Sequence, residues 1–132
     1  MPMRPDHLKM LIVDDDKLIG QLIKDYFVNY PYEFIFAEDG EEAYLLSLSR
    51  HPDVIITDLM LPKTDGVTLI SKLRELPEFA VLPIIAITAG SQELMEKAMD
   101  AGAHMVLHKP IEAEQLIKHV DELLMATPFI KK

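Results

Sequence analysis

Five polar residues end or directly follow short apolar runs, and their chemical types together suit phosphate chemistry. They are Asp14, Asp15, Asp58, Thr88 and Lys109. Adjacent carboxylates repel one another and are costly at the end of a buried strand. A divalent cation between them would offset this cost, and ligands that are all oxygen favour a hard ion, Mg²⁺ or Mn²⁺. The chain therefore carries the ingredients of a small metal site.

The hydroxyl of Thr88 and the ammonium of Lys109 supply what a phosphoryl group needs beside such a metal. Transfer of a phosphoryl group depends mainly on positioning and on neutralising its charge. One aspartate could then act as the nucleophile and form an acyl phosphate. A plainer interpretation also exists, in which Asp14 to Asp16 form a solvated turn with a helix N-cap, and Thr88 and Lys109 are ordinary residues at strand ends.

An alternation of short apolar runs and longer amphipathic stretches predicts the elements that must position these residues. The runs predict β-strands over 9–13, 33–37, 53–57, 82–88 and 104–108. The first amphipathic stretch predicts a helix, with apolar residues at helical spacing: Leu18, Ile19, Leu22, Ile23, Tyr26 and Phe27. The later stretches predict helices over 41–50, 67–76, 91–102 and about 112–126. The fourth helix is expected to begin after an N-cap at Ser91 and to end at Gly102, and Pro128 to stop the fifth.

Strands that are apolar throughout and are separated by helices predict an α/β fold, with a parallel sheet covered on both faces. Ligands bind such sheets at the carboxyl ends of the strands, which is where the five polar residues lie. We expect one domain over residues 8–126, and we expect residues 127–132 to be a tail or the start of a linker.

The composition narrows the classes of function. The 132 residues include 13 basic and 22 acidic ones, for a formal net charge of −9. This excess argues against binding nucleic acid or an anionic membrane by charge alone. The absence of cysteine excludes a disulfide framework and a thiolate metal site. The N-terminus does not resemble a signal peptide, and no apolar run approaches the roughly 20 residues of a membrane span, so we expect a soluble, cytoplasmic domain.

Several segments, in this order and at this spacing, resemble the receiver domain of two-component response regulators. They are LIVDDD, DVIITDLMLPKTDG, PIIAITA and AGAHMVLHKP, and the resemblance covers about residues 8–126. It implies a flavodoxin-like, doubly wound sheet of five strands in the order 2-1-3-4-5 with five helices. It also implies a signalling domain that catalyses only its own phosphorylation and dephosphorylation, with a sensor histidine kinase or a phosphotransfer protein as the phosphoryl donor.

The resemblance implies a role for each acidic residue of the site. Asp58 is expected to be the phosphoacceptor. Asp14 and Asp15 are expected to hold Mg²⁺ together with Asp58, and the backbone carbonyl of Met60 to be a further ligand. Asp16 lies beyond this pair and is given no role at the metal.

The resemblance also implies how the signal leaves the site. The hydroxyl of Thr88 is expected to turn toward the phosphoryl group, and Lys109 to pair with it, with a cis bond between Lys109 and Pro110. Many receivers have Tyr or Phe three residues before this lysine as a switch, but here the residue is Val106. The output face implied by the resemblance consists of the fourth helix, the fifth strand and the fifth helix, and a homodimer through this face is a further expectation.

Two other functions remain as alternatives. A Mg²⁺-dependent phosphatase with an aspartyl nucleophile would usually carry a second aspartate two residues after the first, where this chain has Met60. A non-phosphorylated receiver that serves only as a binding module would be expected to lack the acceptor or an acidic residue, and this chain lacks neither.

Overall fold

The structure is a computed structural model that describes residues 8–125, in which strands and helices alternate. The strands are β1 (Leu8–Val13), β2 (Tyr32–Ala37), β3 (Val54–Asp58), β4 (Ile84–Thr88) and β5 (Met105–His108). The helices are α1 (Lys17–Tyr26), α2 (Gly40–Arg50), α3 (Gly66–Arg74), α4 (Gln92–Ala101) and α5 (Ala113–Met125). A short 3-10 helix, Pro77–Phe79, lies between α3 and β4.

The five strands form one sheet in the order β2-β1-β3-β4-β5, and every neighbouring pair is parallel. This confirms the predicted α/β fold and strand order. The register pairs Val13 with Thr57, so that the residues just after β1 and at the end of β3 lie side by side. It also pairs Thr88 with His108, so that Lys109 follows immediately beside the end of β4. The carboxyl ends of β1, β3, β4 and β5 therefore share one edge of the sheet.

Each face of the sheet packs against its own set of helices, because alternate residues of a strand point to opposite faces. One core contains Leu11 and Ile55 from the strands and packs against α2, α3 and α4. The other contains Met10 and Ile12 and packs against α1 and α5, where Phe27 is fully buried. The two cores lie on opposite faces of the sheet and together hold the strands whose ends form the site.

The predicted ends of the elements differ from the observed ones by one or two residues. β4 begins at Ile84 rather than at residue 82, since Pro83 has no backbone N–H to donate to the sheet. The fourth helix begins after Ser91, whose side chain accepts a hydrogen bond from the Leu94 N–H, and it ends at Gly102, whose φ is 118°. Both predicted caps are confirmed. The 3-10 helix was not predicted, and Pro128 and the predicted tail lie outside the described residues.

The described helices also bear on the question of a membrane segment. None of those between residues 8 and 125 is both long enough and apolar enough to cross a bilayer.

The start of α2 lies against the backbone of the loop between β3 and α3. A Cβ atom placed on Gly40 would lie 1.8 Å from the carbonyl oxygen of Thr64, so no side chain fits without moving one backbone or the other. Gly20 in the middle of α1 is different, because a Cβ there would meet the Phe36 ring at 3.5 Å, an ordinary contact. Packing therefore requires glycine at position 40 but not at position 20.

We predict that Gly40→Ala lowers the free energy of unfolding by roughly 1–3 kcal/mol, the usual cost of overpacking against fixed atoms. The matched variant Gly20→Ala should keep or raise stability, by up to about 1 kcal/mol, because alanine is the better helix former. Urea denaturation of both variants measures the difference. Equal midpoints for the two would contradict the close packing of α2 on the loop.

Candidate functional site

The site is built where strands end at the shared edge of the sheet. Asp58 is the last residue of β3 and Thr88 the last of β4, while Asp14 directly follows β1 and Lys109 directly follows β5. Backbone bonds fasten these positions, since the Lys109 N–H donates to the Thr88 carbonyl at 2.9 Å. The Asp14 N–H donates to the Ala37 carbonyl at 3.1 Å. The backbone hydrogen bonding of the sheet therefore extends one residue beyond the strands, to Asp14 and Lys109.

Lys109 connects two buried carboxylates. Its Nζ donates to Asp14 Oδ2 at 3.3 Å and to Asp58 Oδ2 at 3.1 Å. Both aspartates are buried, whereas the lysine side chain is about one quarter exposed. Charge-assisted hydrogen bonds of this kind are stronger in a poorly solvated site than at the surface. The structure thus brings together three of the predicted residues in one ionic cluster.

Burial disfavours the charged forms of both Asp14 and Lys109, but neighbouring groups reverse its effect on the lysine. Burial raises the pKa of Asp14 above its ordinary value, and the nearby Asp58 carboxylate adds to this, although the Asp16 N–H and Lys109 act against it. Burial alone would lower the pKa of Lys109, but the hydrogen bonds and charges of Asp58 and Asp14 outweigh it, so this pKa is raised. The cluster therefore favours a protonated lysine and resists a full negative charge on Asp14.

The acidic residues form a group that fits a hard divalent cation. Asp14, Asp15 and Asp58 each offer a carboxylate oxygen, and these oxygens lie within 4.8 Å of one another. Asp15 is exposed, so a metal ion can reach this group of carboxylates from solvent. Oxygen ligands without His or Cys suit Mg²⁺ or Mn²⁺. The Met60 N–H donates to Asp58 Oδ1 at 3.1 Å, while the predicted role of the Met60 carbonyl as a ligand stays a prediction.

Asp16, the third residue of the acidic run, has a structural role of its own. Its side chain accepts a hydrogen bond from the Leu18 N–H at 2.9 Å, which caps α1. Its own N–H donates to Asp14 Oδ1 at 2.9 Å and so holds the Asp14 carboxylate in place. The plainer interpretation of the acidic run as a helix cap is correct for this third residue, which supports the site without joining the group of carboxylates.

Thr88 is fully buried beside the cluster, and its Oγ1 accepts a hydrogen bond from the Gly90 N–H at 3.0 Å. A Cβ on Gly90 would lie 2.7 Å from Leu94 Cδ2 and 3.2 Å from the Thr88 hydroxyl oxygen. The absence of a side chain at Gly90 thus leaves room around this hydroxyl. No pattern in the sequence indicates this contact of Gly90.

Beyond Lys109, the chain turns back along α1. The Lys109–Pro110 peptide bond is cis, as expected. The Tyr26 hydroxyl donates to the Ile111 carbonyl at 3.1 Å, which ties α1 to the loop before α5. The sequence analysis missed this bond, since its partners are 85 positions apart. Val106 is half-buried and packs against the core under α4, on the side of the sheet away from α1.

The apolar residues of α1 divide between the core and the surface. Ile23 is buried, and so is Phe27 just past the helix end, whereas Leu18 and Leu22 are 79% and 46% exposed. An apolar groove runs between α1 and the loop after β5. It is lined mainly by Ile19, Leu22, Tyr26, Pro110, Ile111 and Leu116. Lys109 also lines it, so the groove opens next to the ionic cluster.

Comparisons with known proteins agree with this geometry. Residues 10–121 match the family model described as the response regulator receiver domain. The chain is 35% identical over 120 residues to the DNA-binding dual master transcriptional regulator RpaA of Synechocystis, covering 90% of this chain and 50% of that protein. It is also 35% identical to the transcriptional regulatory protein SrrA of Staphylococcus aureus, covering 90% and 48%. The chain thus spans about half the length of these curated relatives.

Solved structures are similar over most of their length. The Francisella response regulator 1452 receiver domain is 34% identical, with a TM-score of 0.81, over 90% of this chain and 98% of that one. The chemotaxis response regulator CheY4 of Vibrio cholerae is 30% identical, with a TM-score of 0.82, over 89% and 98%.

We predict that Asp14→Asn stabilises the protein in buffer without Mg²⁺, by about 0.5–2 kcal/mol, the usual gain from relieving an unfavourable charge. Asn keeps the Oδ1 acceptor for the Asp16 N–H but removes the carboxylate that burial disfavours. Because the pKa of Asp14 is raised on folding, its cost is present above that pKa. The gain should shrink as the pH falls through the raised pKa and vanish below the ordinary value of 3.8.

The matched variant is Asp15→Asn, which removes an exposed carboxylate and should change stability by less than about 0.5 kcal/mol. Both variants should weaken Mg²⁺ binding, followed by calorimetric titration. A loss of stability in Asp14→Asn at neutral pH would contradict the charge balance described here.

Proposed function

Because this chain belongs to the response regulator receiver domain family, we propose that Asp58 accepts a phosphoryl group from a phosphohistidine of a sensor histidine kinase or a phosphotransfer protein. The observation that supports this most directly is the contact of Lys109 with both Asp14 and Asp58 at the shared edge of the sheet. It puts a fixed cation beside the acceptor, where a phosphoryl group needs charge neutralisation.

In the proposed transfer, a carboxylate oxygen of Asp58 attacks phosphorus, and the P–N bond to the donor imidazole breaks as the new P–O bond forms. The imidazole leaves with the electron pair, and the product is an acyl phosphate. The Met60 N–H and the Lys109 ammonium hold the two Asp58 oxygens and so orient the carboxylate for attack. Once Asp58 is phosphorylated its carboxylate charge is gone, so Lys109 is free to pair with the phosphoryl oxygens.

The carboxylates of Asp14, Asp15 and Asp58 would hold the Mg²⁺ ion, with the Met60 carbonyl as a further ligand. When bound, the ion supplies positive charge that neutralises the phosphoryl oxygens. The domain would act on itself alone and not on a separate small-molecule substrate. The phosphatase alternative is not favoured, because Met60 stands where a second catalytic aspartate is expected.

The acyl phosphate would then shift a two-state equilibrium of the loops around the site and of an output face. Thr88 and Lys109 are the groups that would respond first, since their backbones are joined by a hydrogen bond. Val106 has no ring to bury, so the coupling would rely on these two residues and on loop movement. The proposed output and homodimer face consists of α4, β5 and α5.

The proposed location of the domain is the cytoplasm. We propose no direct binding of this domain to nucleic acid or to a membrane.

The groove between α1 and the loop after β5 is the proposed docking site for the phosphoryl donor. Leu22 and Ile19 line it and Lys109 lies in the same groove, so a partner seated there is next to the acceptor. Leu18 and Leu22 are exposed apolar residues on α1, and a partner helix that docks there would bury them.

We predict that Asp58→Asn abolishes covalent phosphorylation, because an amide oxygen is a poor nucleophile. The test is intact-mass analysis after incubation with a small phosphodonor and Mg²⁺, where the unmodified protein should gain the mass of one phosphoryl group. The control is Asp16→Asn, which changes a neighbouring aspartate that caps α1 and should leave the mass gain intact. An undiminished gain in Asp58→Asn would contradict the assignment of the acceptor.

We predict that Leu22→Ala slows phosphoryl transfer from the kinase by about five- to tenfold, the effect of removing one important side chain of an interface. Phosphorylation by a small donor should stay unchanged, because Leu22 lies outside the ionic cluster. Leu48→Ala is the matched control, since Leu48 is also exposed but lies on α2. If both assays of Leu22→Ala lose activity equally, the residue serves folding or chemistry rather than docking.

We predict slow loss of the phosphoryl group, over minutes to hours rather than seconds. Hydrolysis needs water in line with the P–O bond, and neither Met60 nor Gly90, whose N–H groups bond to Asp58 and Thr88, has a side chain that orients water. Met60→Asn should change the decay rate, while Met99→Asn on exposed α4 should not. Loss of label from purified protein in Mg²⁺ gives the rate, and decay of the unmodified protein within seconds would refute the argument.

A further inference from the structure

A second apolar pocket lies on the other side of α1, between this helix and the edge strand β2. Its volume is about 240 Å³, and its apolar wall consists of Ile12, Gly20, Phe36 and Ala37. Phe36 is 43% exposed although it belongs to a strand. The pocket exists because α1 has no side chain at Gly20, where a Cβ would already contact the Phe36 ring. An apolar group that entered it would remove part of this ring from water, which is favourable.

The rim of this pocket is acidic. Glu38 and Glu42 line it, and they also line a neighbouring hollow on the α2 side together with Asp39, Glu41 and the 57%-exposed Leu45. Two lysines partly compensate these four acids. Lys17 Nζ lies 3.9 Å from Glu38 Oε2, and Lys63 Nζ lies 3.8 Å from Asp39 Oδ2. Both pairs are long and both lysines are exposed, so the pairs contribute little and are easily exchanged for others. The rim therefore keeps an attraction for cations.

We propose that this α1–β2–α2 surface, defined by Gly20, Phe36, Glu38, Glu41, Glu42 and Leu45, binds a basic segment of a partner protein that carries a large apolar side chain. The apolar side chain enters the pocket beside Phe36, and Lys or Arg side chains pair with Glu38 and Glu41. The aliphatic stems of those basic residues cover Leu45. The charge of the rim selects this occupant, since a second copy of the chain would bring the same acidic surface to the contact and repel it.

The surface is joined to the proposed phosphoryl site in two ways. Asp14, whose carboxylate contacts Lys109, is one of the residues that line the pocket. The start of α2 packs through Gly40 on the Thr64 backbone, which belongs to the loop after Asp58. Partner binding itself needs no phosphoryl transfer, so it is measurable on the unphosphorylated protein, and failure of either proposal leaves the other standing.

The probe is a short synthetic peptide in which leucine and arginine alternate, titrated into the isotope-labelled protein while backbone amide NMR signals are followed. We expect the shifted signals to centre on Gly20, Gln21, Phe36 and Glu38. A second peptide with serine in place of leucine keeps the charge and should bind about tenfold more weakly, the effect of losing about 1.4 kcal/mol of binding free energy. A third peptide with glutamate in place of arginine should not bind.

Two sets of variants test the surface itself. The double variant Glu38→Gln/Glu41→Gln should weaken peptide binding about fivefold and reduce the salt dependence of binding, because the surface loses two negative charges. The matched double variant Glu93→Gln/Glu96→Gln removes two exposed charges from α4 and should bind like the unmodified protein. Gly20→Ala, which fits the structure, should narrow the pocket and weaken the leucine peptide more than the serine peptide.

The opposite results would overturn the proposal. Shifts centred on α4 or on the groove beside Pro110 would place the peptide elsewhere. Equal binding of the leucine and serine peptides, or equal losses in the two glutamate variants, would show only a general attraction of cations to an acidic protein.

Discussion

The site depends on one electrostatic constraint. An ammonium group from the residue after β5 must remain between the buried carboxylates of the residue after β1 and the last residue of β3. β4 separates β5 from β3, which amounts to about 10 Å at normal strand spacing, so only a long side chain spans the gap. Lys109 does this and contacts Asp14 and Asp58. Without it, two buried carboxylates would face each other uncompensated, at a large cost in free energy.

This arrangement leaves the site with more negative than positive charge, and the proposed function rests on that deficit. Asp14 and Asp58 are balanced by a single lysine, and Asp15 adds a third carboxylate at the surface. The pKa of Asp14 is raised because burial penalises its charge. In the proposed function, a bound cation and then a phosphoryl group on Asp58 would change a charge balance that burial makes unfavourable. The tight packing of Gly40 on the loop after Asp58 would connect such a change to α2.

Local patterns predicted the type and order of the five strands and five α-helices between residues 8 and 125, but not the 3-10 helix. Chain order placed the polar residues at strand ends. The patterns were weaker where neighbours distant in sequence decide. Periodicity grouped six apolar residues of α1 and its C-cap on a wide stripe. Packing against β1, β2 and α5 decided that Ile23 and Phe27 are buried and that Leu18 and Leu22 are exposed. The acidic run likewise contained a helix cap, Asp16, that could not be separated from its neighbours by residue type alone.

The sequence by itself determined which groups are available for chemistry, because carboxylates, a hydroxyl and an ammonium at the ends of apolar strands follow from residue types and periodicity. Only the tertiary structure decided how these groups act on one another. Lys109 is 95 positions from Asp14 and 51 from Asp58, yet its Nζ contacts both. Burial, pKa shifts and the exposure of Phe36 likewise depend on atoms that approach through the packing of separate elements. Such approaches are set by the whole fold, and no local pattern encodes them.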